Sequence, residues 1–120
     1  MTDLEAYRKD FEIVRLTAEQ LIKDFGMHGF RIDFSGNELT AWNELKMQVQ
    51  PILYDLYQKN KSSFQALLYR IDISEKQLRE LYSAGKGDFP EMLAEAVLRR
   101  EFQKVLIRKF YSGTTDKPEL

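Results

Sequence analysis

Residues 4–25 read LEAYRKDFEIVRLTAEQLIKDF, and their apolar side chains decide the fold class. Leu4, Tyr7, Phe11, Val14, Ala18, Leu21 and Phe25 are separated by three and four residues in alternation. An α-helix turns once every ~3.6 residues, so this spacing lines one face of a rod. It predicts a single amphipathic helix over 3–25, capped by Asp3 or Thr2 and ended by Gly26 in the left-handed conformation. Thr17-Ala18-Glu19-Gln20 has the form of a capping box that would divide the helix. The seam crosses it without a phase shift, which favours continuity.

The same spacing returns at Trp42, Leu45, Val49, Ile52 and Leu56. Pro51 falls inside this run, where it removes a donor and crowds the carbonyl of Met47, a cost of about 3 kcal/mol in a helix interior. Because the register survives on both sides, a kinked helix over 39–59 is expected; the alternative is a break at Gln50 with Pro51 opening a new helix. Phe64, Leu67, Leu68 and Ile71 mark a third helix. Ser74-Glu75-Lys76-Gln77 is a capping box that starts a fourth, carrying Leu78, Leu81 and Tyr82. Asp88-Phe89-Pro90-Glu91 caps a last helix over 89–111, whose apolar residues from Leu93 to Phe110 cover most of its circumference. Such breadth predicts a central helix packed by several neighbours. The expected fold is therefore all-α: one compact bundle of four to five helices over 1–111, followed by a flexible tail at 112–120 that is polar and aperiodic.

One segment departs from the helical pattern. Between Gly26 and Gly36, Phe30, Ile32 and Phe34 alternate with Arg31, Asp33 and Ser35, a period of two that suits a half-buried extended chain. No second strand-like run is evident. The segment is expected either to lid the helical core with its three apolar side chains or to pair its edge with a second copy of the chain.

Composition removes several functions. With no cysteine there is no disulfide framework or cysteine zinc site, and a single histidine, His28, excludes a histidine-rich metal centre. The net charge of −1 favours neither nucleic acid nor an anionic membrane. No run reaches the roughly 20 apolar residues of a membrane span, and the N-terminus lacks the basic and apolar regions of a signal peptide, so a cytoplasmic protein is the expectation. No nucleophile–base pair, metal-ligand spacing or phosphate-binding glycine loop is present, and no catalytic residue, metal or cofactor is assigned. His28 reads as a loop residue beside a helix C-terminus. A catalytic role would require carboxylates brought together in space.

Two features point to partners. In residues 64–85 (FQALLYRIDISEKQLRELYSAG) a helix ends at Ile71 and a capped helix begins at Ser74. With Ile71, Ile73, Leu78 and Leu81 at buried positions, the segment resembles a helix-turn-helix, a motif that binds DNA. Asp72 stands where such turns usually have glycine, and Leu68 where they have a small residue. The resemblance implies a reading helix with Lys76, Gln77 and Arg79 presented to nucleic acid, although the charges of Glu75, Lys76, Arg79 and Glu80 sum to zero. The second feature is a stripe on the last helix, where Arg100, Lys104 and Arg108 recur every four residues. Like charges at this spacing repel, so the stripe needs acidic neighbours, solvent or an anionic partner. Asp3, Glu5, Asp10 and Glu12 are acids that would face it from the first helix. Tyr54, Tyr57, Tyr69, Tyr82 and Tyr111 sit beside the apolar stripes and suit a core margin or a binding face. No resemblance covers the whole chain. These features favour a small intracellular, non-catalytic interaction or regulatory module, homodimeric through Phe30, Ile32 and Phe34 or bound to another protein, with nucleic-acid binding as the alternative.

Overall fold

The computed structural model describes residues 10–84 and 88–112, with side chains to residue 110. They form five helices: α1 (Phe11–Gly26), α2 (Ala41–Lys59), α3 (Lys61–Ile71), α4 (Glu75–Ala84) and α5 (Phe89–Ser112). No strand occurs among the described residues. Nor is any helix there long and apolar enough to cross a membrane. The last helix packs against all four others and forms the centre of an all-α bundle. Leu93, Ala94, Val97, Leu98, Glu101, Phe102, Val105 and Leu106 are buried along it. A helix buried over so wide an arc has neighbours on several sides, which its lack of a single apolar stripe foreshadowed.

The first helix starts later than its seam implied. Asp10 is extended (φ −84°, ψ 106°), and its Oδ1 accepts hydrogen bonds from the backbone N–H groups of Glu12 and Ile13, so Phe11 is the first helical residue. A helix running without a break from residue 3 through Asp10 is thereby corrected: a side chain that caps competes with helix continuation at its own position. Leu4 and Tyr7, with the Thr2 and Asp3 caps, lie outside the described residues. Phe11 is 48% exposed, whereas Val14, Ala18, Leu21 and Phe25 are buried as the seam requires. Ile13, Thr17 and Asp24 widen the buried face. Thr17 does not divide the helix; its hydroxyl donates to the carbonyl of Ile13.

The helix ends within a residue of the expected position, but Gly29, not Gly26, takes the left-handed conformation (φ +86°). The N–H of Phe30 donates to the carbonyl of Phe25, and that of Gly29 to Gly26, the paired bonds of a Schellman ending. His28 lies half-buried within this ending.

Pro51 sits inside α2 without breaking it. The ring is on the exposed side of the helix, where water can satisfy the carbonyl that lost its donor. Asn60 caps α3 by accepting from the N–H of Ser63. The expected box opens α4: Gln77 Oε1 accepts from the N–H of Ser74, and Ser74 Oγ from the N–H of Gln77. Residues 113–120 of the expected tail lie outside the described residues.

The segment after α1 lids the core. Ile32 is buried, and Phe30 and Phe34 pack half-buried against the same cluster, while Arg31, Asp33 and Ser35 are exposed. Its backbone is held by side chains of α2. Gln48 accepts from the N–H of Asp33 (2.9 Å) and donates to its carbonyl (2.7 Å), and Glu44 accepts from the N–H and hydroxyl of Ser35. Gln48 and Glu44 are one helical turn apart, so together they do for one edge of this segment what a neighbouring strand would do.

Candidate functional site

The stripe on α5 is engaged from within the chain. Arg100 donates to the carboxylate of Asp72 and, through Nε, to the Asp72 carbonyl at 3.2 Å. Lys104 Nζ lies 3.0 Å from Asp24 Oδ2 and 3.4 Å from the carbonyl of Ile71. Arg108 donates to Gln20 Oε1 at 2.8 Å. Of the acids that the sequence offered to this helix, Glu12 meets Lys109 at 2.8 Å. The stripe itself takes Asp24 and Asp72, residues at the ends of α1 and α3.

Asp72 can reach Arg100 because of the way α3 ends. It is the one non-glycine residue with positive φ (+77°) among those described. Its N–H donates to Tyr69, and the N–H of Ile73 to Leu68, which closes a second Schellman turn over the buried pair Leu68 and Ile73. Aspartate tolerates this region better than most residues with a Cβ, and here its carboxylate is anchored as well. This left-handed position is where a helix-turn-helix has its glycine.

Beneath the stripe lies a carboxylate pair that no single motif in the sequence marks. Asp24 is 1% exposed and Glu101 0%. Asp24 is served from three helices: by Gln20 Nε2 of α1 (3.0 Å), Arg70 Nε of α3 (3.2 Å) and Lys104 Nζ of α5 (3.0 Å). Glu101 is poorer. Lys104 Nζ approaches its Oε1 to 2.9 Å, but neither oxygen has an aligned hydrogen-bond donor. The same ammonium stands 3.0 Å from Asp24 Oδ2, so it bridges the two carboxyls, and a hydrogen bond between them would require a proton on one of the acids. Burial pushes Glu101 up to about 8, reinforced by Asp24 and opposed by Lys104. Burial alone would raise Asp24 too, but hydrogen bonds with Glu101, Lys104 and Gln20 outweigh it and hold Asp24 below the usual range. The two shifts run in opposite directions, Glu101 towards holding a proton and Asp24 towards losing one.

This cluster is the meeting of carboxylates that catalysis would have needed, yet both acids are closed to solvent, and none of three surface grooves reaches them. No group of three or more metal-ligating side chains occurs among the described residues.

The residues of the expected reading helix are exposed on α4. Gln77 spends its side-chain oxygen on the cap, and Arg79 approaches Glu75 at 3.8 Å. The expected dimer residues Phe30, Ile32 and Phe34 are turned onto their own core. Of the tyrosines, Tyr57 is half-buried between Phe64 and Phe89, whereas Tyr54, Tyr69 and Tyr82 are exposed.

An outward-facing stripe on α2 is the exposed apolar feature most regular in the helix. Met47 (67% exposed), Pro51 and Tyr54 (52%) follow at i, i+4 and i+7 on the side of α2 away from Leu45, Val49 and Leu53. With Gln50, Asp88 and Pro90 they line an open groove of about 460 Å³.

No family model matches the chain, and no curated protein or solved structure is significantly similar to it.

Proposed function

We propose that the protein is a small non-catalytic interaction module that offers the Met47–Pro51–Tyr54 face of α2 to another protein, a second copy of the chain being the first candidate. The observation that carries this reading is a helix with two apolar faces, one in the core and one in water. An apolar stripe at i, i+4 and i+7 is the pattern by which one helix is recognised in the groove of another. The groove that this face lines together with Asp88 and Pro90 adds relief to it. The charged groups nearest to chemistry support the same reading, because Lys104 is held between Asp24 and Glu101 inside the bundle and Arg100 by Asp72.

Sedimentation at micromolar concentration tests the self-association arm. A mass above 14.2 kDa that falls back to the monomer in Tyr54→Glu and Met47→Glu, without loss of helical signal, supports it. A monomer at every concentration removes self-association and leaves a different protein as the partner. Salt-dependent binding of nucleic acid at about 50 mM salt, weakened by Lys76→Gln and Arg79→Gln, would instead favour a nucleic-acid partner.

A further inference from the structure

The buried acids have a role that an interaction face does not use. We propose that Asp24 and Glu101 form a proton-operated clamp between the first and last helices: with one proton shared by the two carboxyls the seam is closed, and loss of that proton loosens α1 from α5.

The geometry makes the proton a structural component. Glu101 is fully buried beside Phe102 and Val105, with neither oxygen aligned to a donor. A carboxylate in that position faces a second carboxylate in a medium of low polarity, where like charges repel strongly. A carboxylic acid in the same position removes that repulsion and has a proton to donate to Asp24. The charged and titratable groups that meet the pair come from each packed element. From α1 come Asp24 itself and the neutral Gln20. From α3 comes Arg70, directed at Asp24. From α5 comes Lys104, which touches both acids. The turn after α3 contributes Asp72, already paired with Arg100. α2 meets α5 through Trp42 on Phe102, and its Lys46 pairs with Glu91 and Glu95. Those glutamates lie at least six residues, or about 9 Å, along the helix from Glu101. On α4, Arg79 pairs with Glu75 at the surface. The cations near the pair are thus Lys104, shared between the two acids at 3.0 and 2.9 Å, and Arg70, which meets Asp24.

The direction of the pH dependence follows. Glu101 moves from an ordinary 4.5 to about 8 on folding, so between those values the folded chain holds a proton that the unfolded chain has released. The stabilising contribution is complete below about pH 4.5 and is lost as pH rises through about 8. Asp24 acts oppositely: its contribution is present above its ordinary 3.8 and is lost as pH falls below it.

Three measurements on the full chain test the clamp. Carbon-13 NMR of the Glu101 side-chain carboxyl is expected to titrate near pH 8, and a midpoint near the ordinary glutamate value would overturn the proposal. Chemical denaturation is expected to give an unfolding constant that rises by up to about tenfold per pH unit between pH 6 and 8, then levels off. Glu101→Gln, which imitates the protonated acid, is expected to abolish that slope; a wild type without it, or a variant that keeps it, overturns the proposal. Should Glu101→Gln fail to fold, Asp24→Asn replaces it, and the midpoint of Glu101 is expected to move to lower pH once the neighbouring charge is gone; an unmoved midpoint counts against the clamp. Finally, amide exchange of residues 13–25, corrected for its intrinsic pH dependence, is expected to accelerate between pH 6 and 9 in the wild type and not in Glu101→Gln. Equal protection at both pH values in the wild type would show that α1 does not loosen.

Discussion

The central helix carries ion pairs on two faces, built from the same residue types at different depths. On one face, Lys104 holds Asp24 and Glu101 in the interior, joined by Arg70. On the other, roughly a third of a turn away around the helix, Lys46 of α2 bridges Glu91 at 3.5 Å and Glu95 at 3.4 Å, and Arg99 lies 4.0 Å from Glu95. Trp42 Nε1 donates to Glu95 as well, at 3.1 Å. The cations are covered alike, Lys46 at 21% and Lys104 at 19% exposed, and the acids differ: Glu91 and Glu95 keep 57% and 33% of their side chains in water, Asp24 and Glu101 2% and 0%. A buried acid has no water to exchange for its partner, so its counterpart must be in place. The difference teaches that distance alone says little about what an ion pair contributes; access to water decides it.

The largest effect is expected at Asp24. Asp24→Ala leaves Lys104, Arg70 and Glu101 without their common partner, and removing one member of a buried pair costs about 3–5 kcal/mol. Urea denaturation at neutral pH should read a loss of that order, and a loss below ~1 kcal/mol would show that the seam is wetter than its burial implies. At the rim of the seam the effect should be smaller. Asp72→Ala puts an ordinary Cβ in the left-handed region, at about 1–2 kcal/mol, and removes the Arg100 contact. Asp72→Gly relieves the backbone, so thermal melts of the two variants should differ by roughly that amount. On the other face, where water reaches Glu91 and Glu95, Lys46→Gln should cost within about 1 kcal/mol. Raising the salt to about 1 M should shrink the gap between Lys46→Gln and wild type while leaving the Asp24→Ala loss nearly unchanged.

Much of this bundle was legible from residue spacing. Trp42, Leu45, Val49, Ile52 and Leu56 were read as one helix despite Pro51, and α2 is continuous through it, because a proline whose carbonyl partner faces water does not oblige a break. The breadth of apolar residues after Leu93 identified α5 as central for the same reason that it packs against four neighbours. The start of α1 was misread, since an unbroken apolar register cannot report that Asp10 turns its carboxylate onto the backbone. Its end falls within a residue of the expected one, but the left-handed turn belongs to Gly29 and not to Gly26, which carries Phe30 onto the core.

The candidate site was less legible. Glu101 was visible as the one acid among five bases between Arg99 and Lys109, and its apolar neighbours Val97, Leu98, Phe102 and Val105 were a signal of burial. Asp24 carried a comparable signal, lying beside Phe25 and in helical register with Thr17 and Leu21. Neither signal named the other residue. They are 77 positions apart, and their meeting depends on how far α1 slides along α5. The backbone partners of Asp33 and Ser35 were hidden for the same reason, because a glutamine or glutamate on an exposed helical face gives no sign that a chain will lie across it.

What the sequence determined by itself is local in origin: the helical periods, the Ser74 cap, the alternating segment and the absence of cysteine chemistry all follow from neighbours within a few residues of one another. Which acid answers each base, which of two apolar faces of α2 enters the core, and whether Glu101 can lose its proton were decided by the tertiary structure. Packing sets both the distances between groups remote in the chain and the amount of water left around them, and the free energy of a charge depends on those two quantities more than on its sequence neighbours.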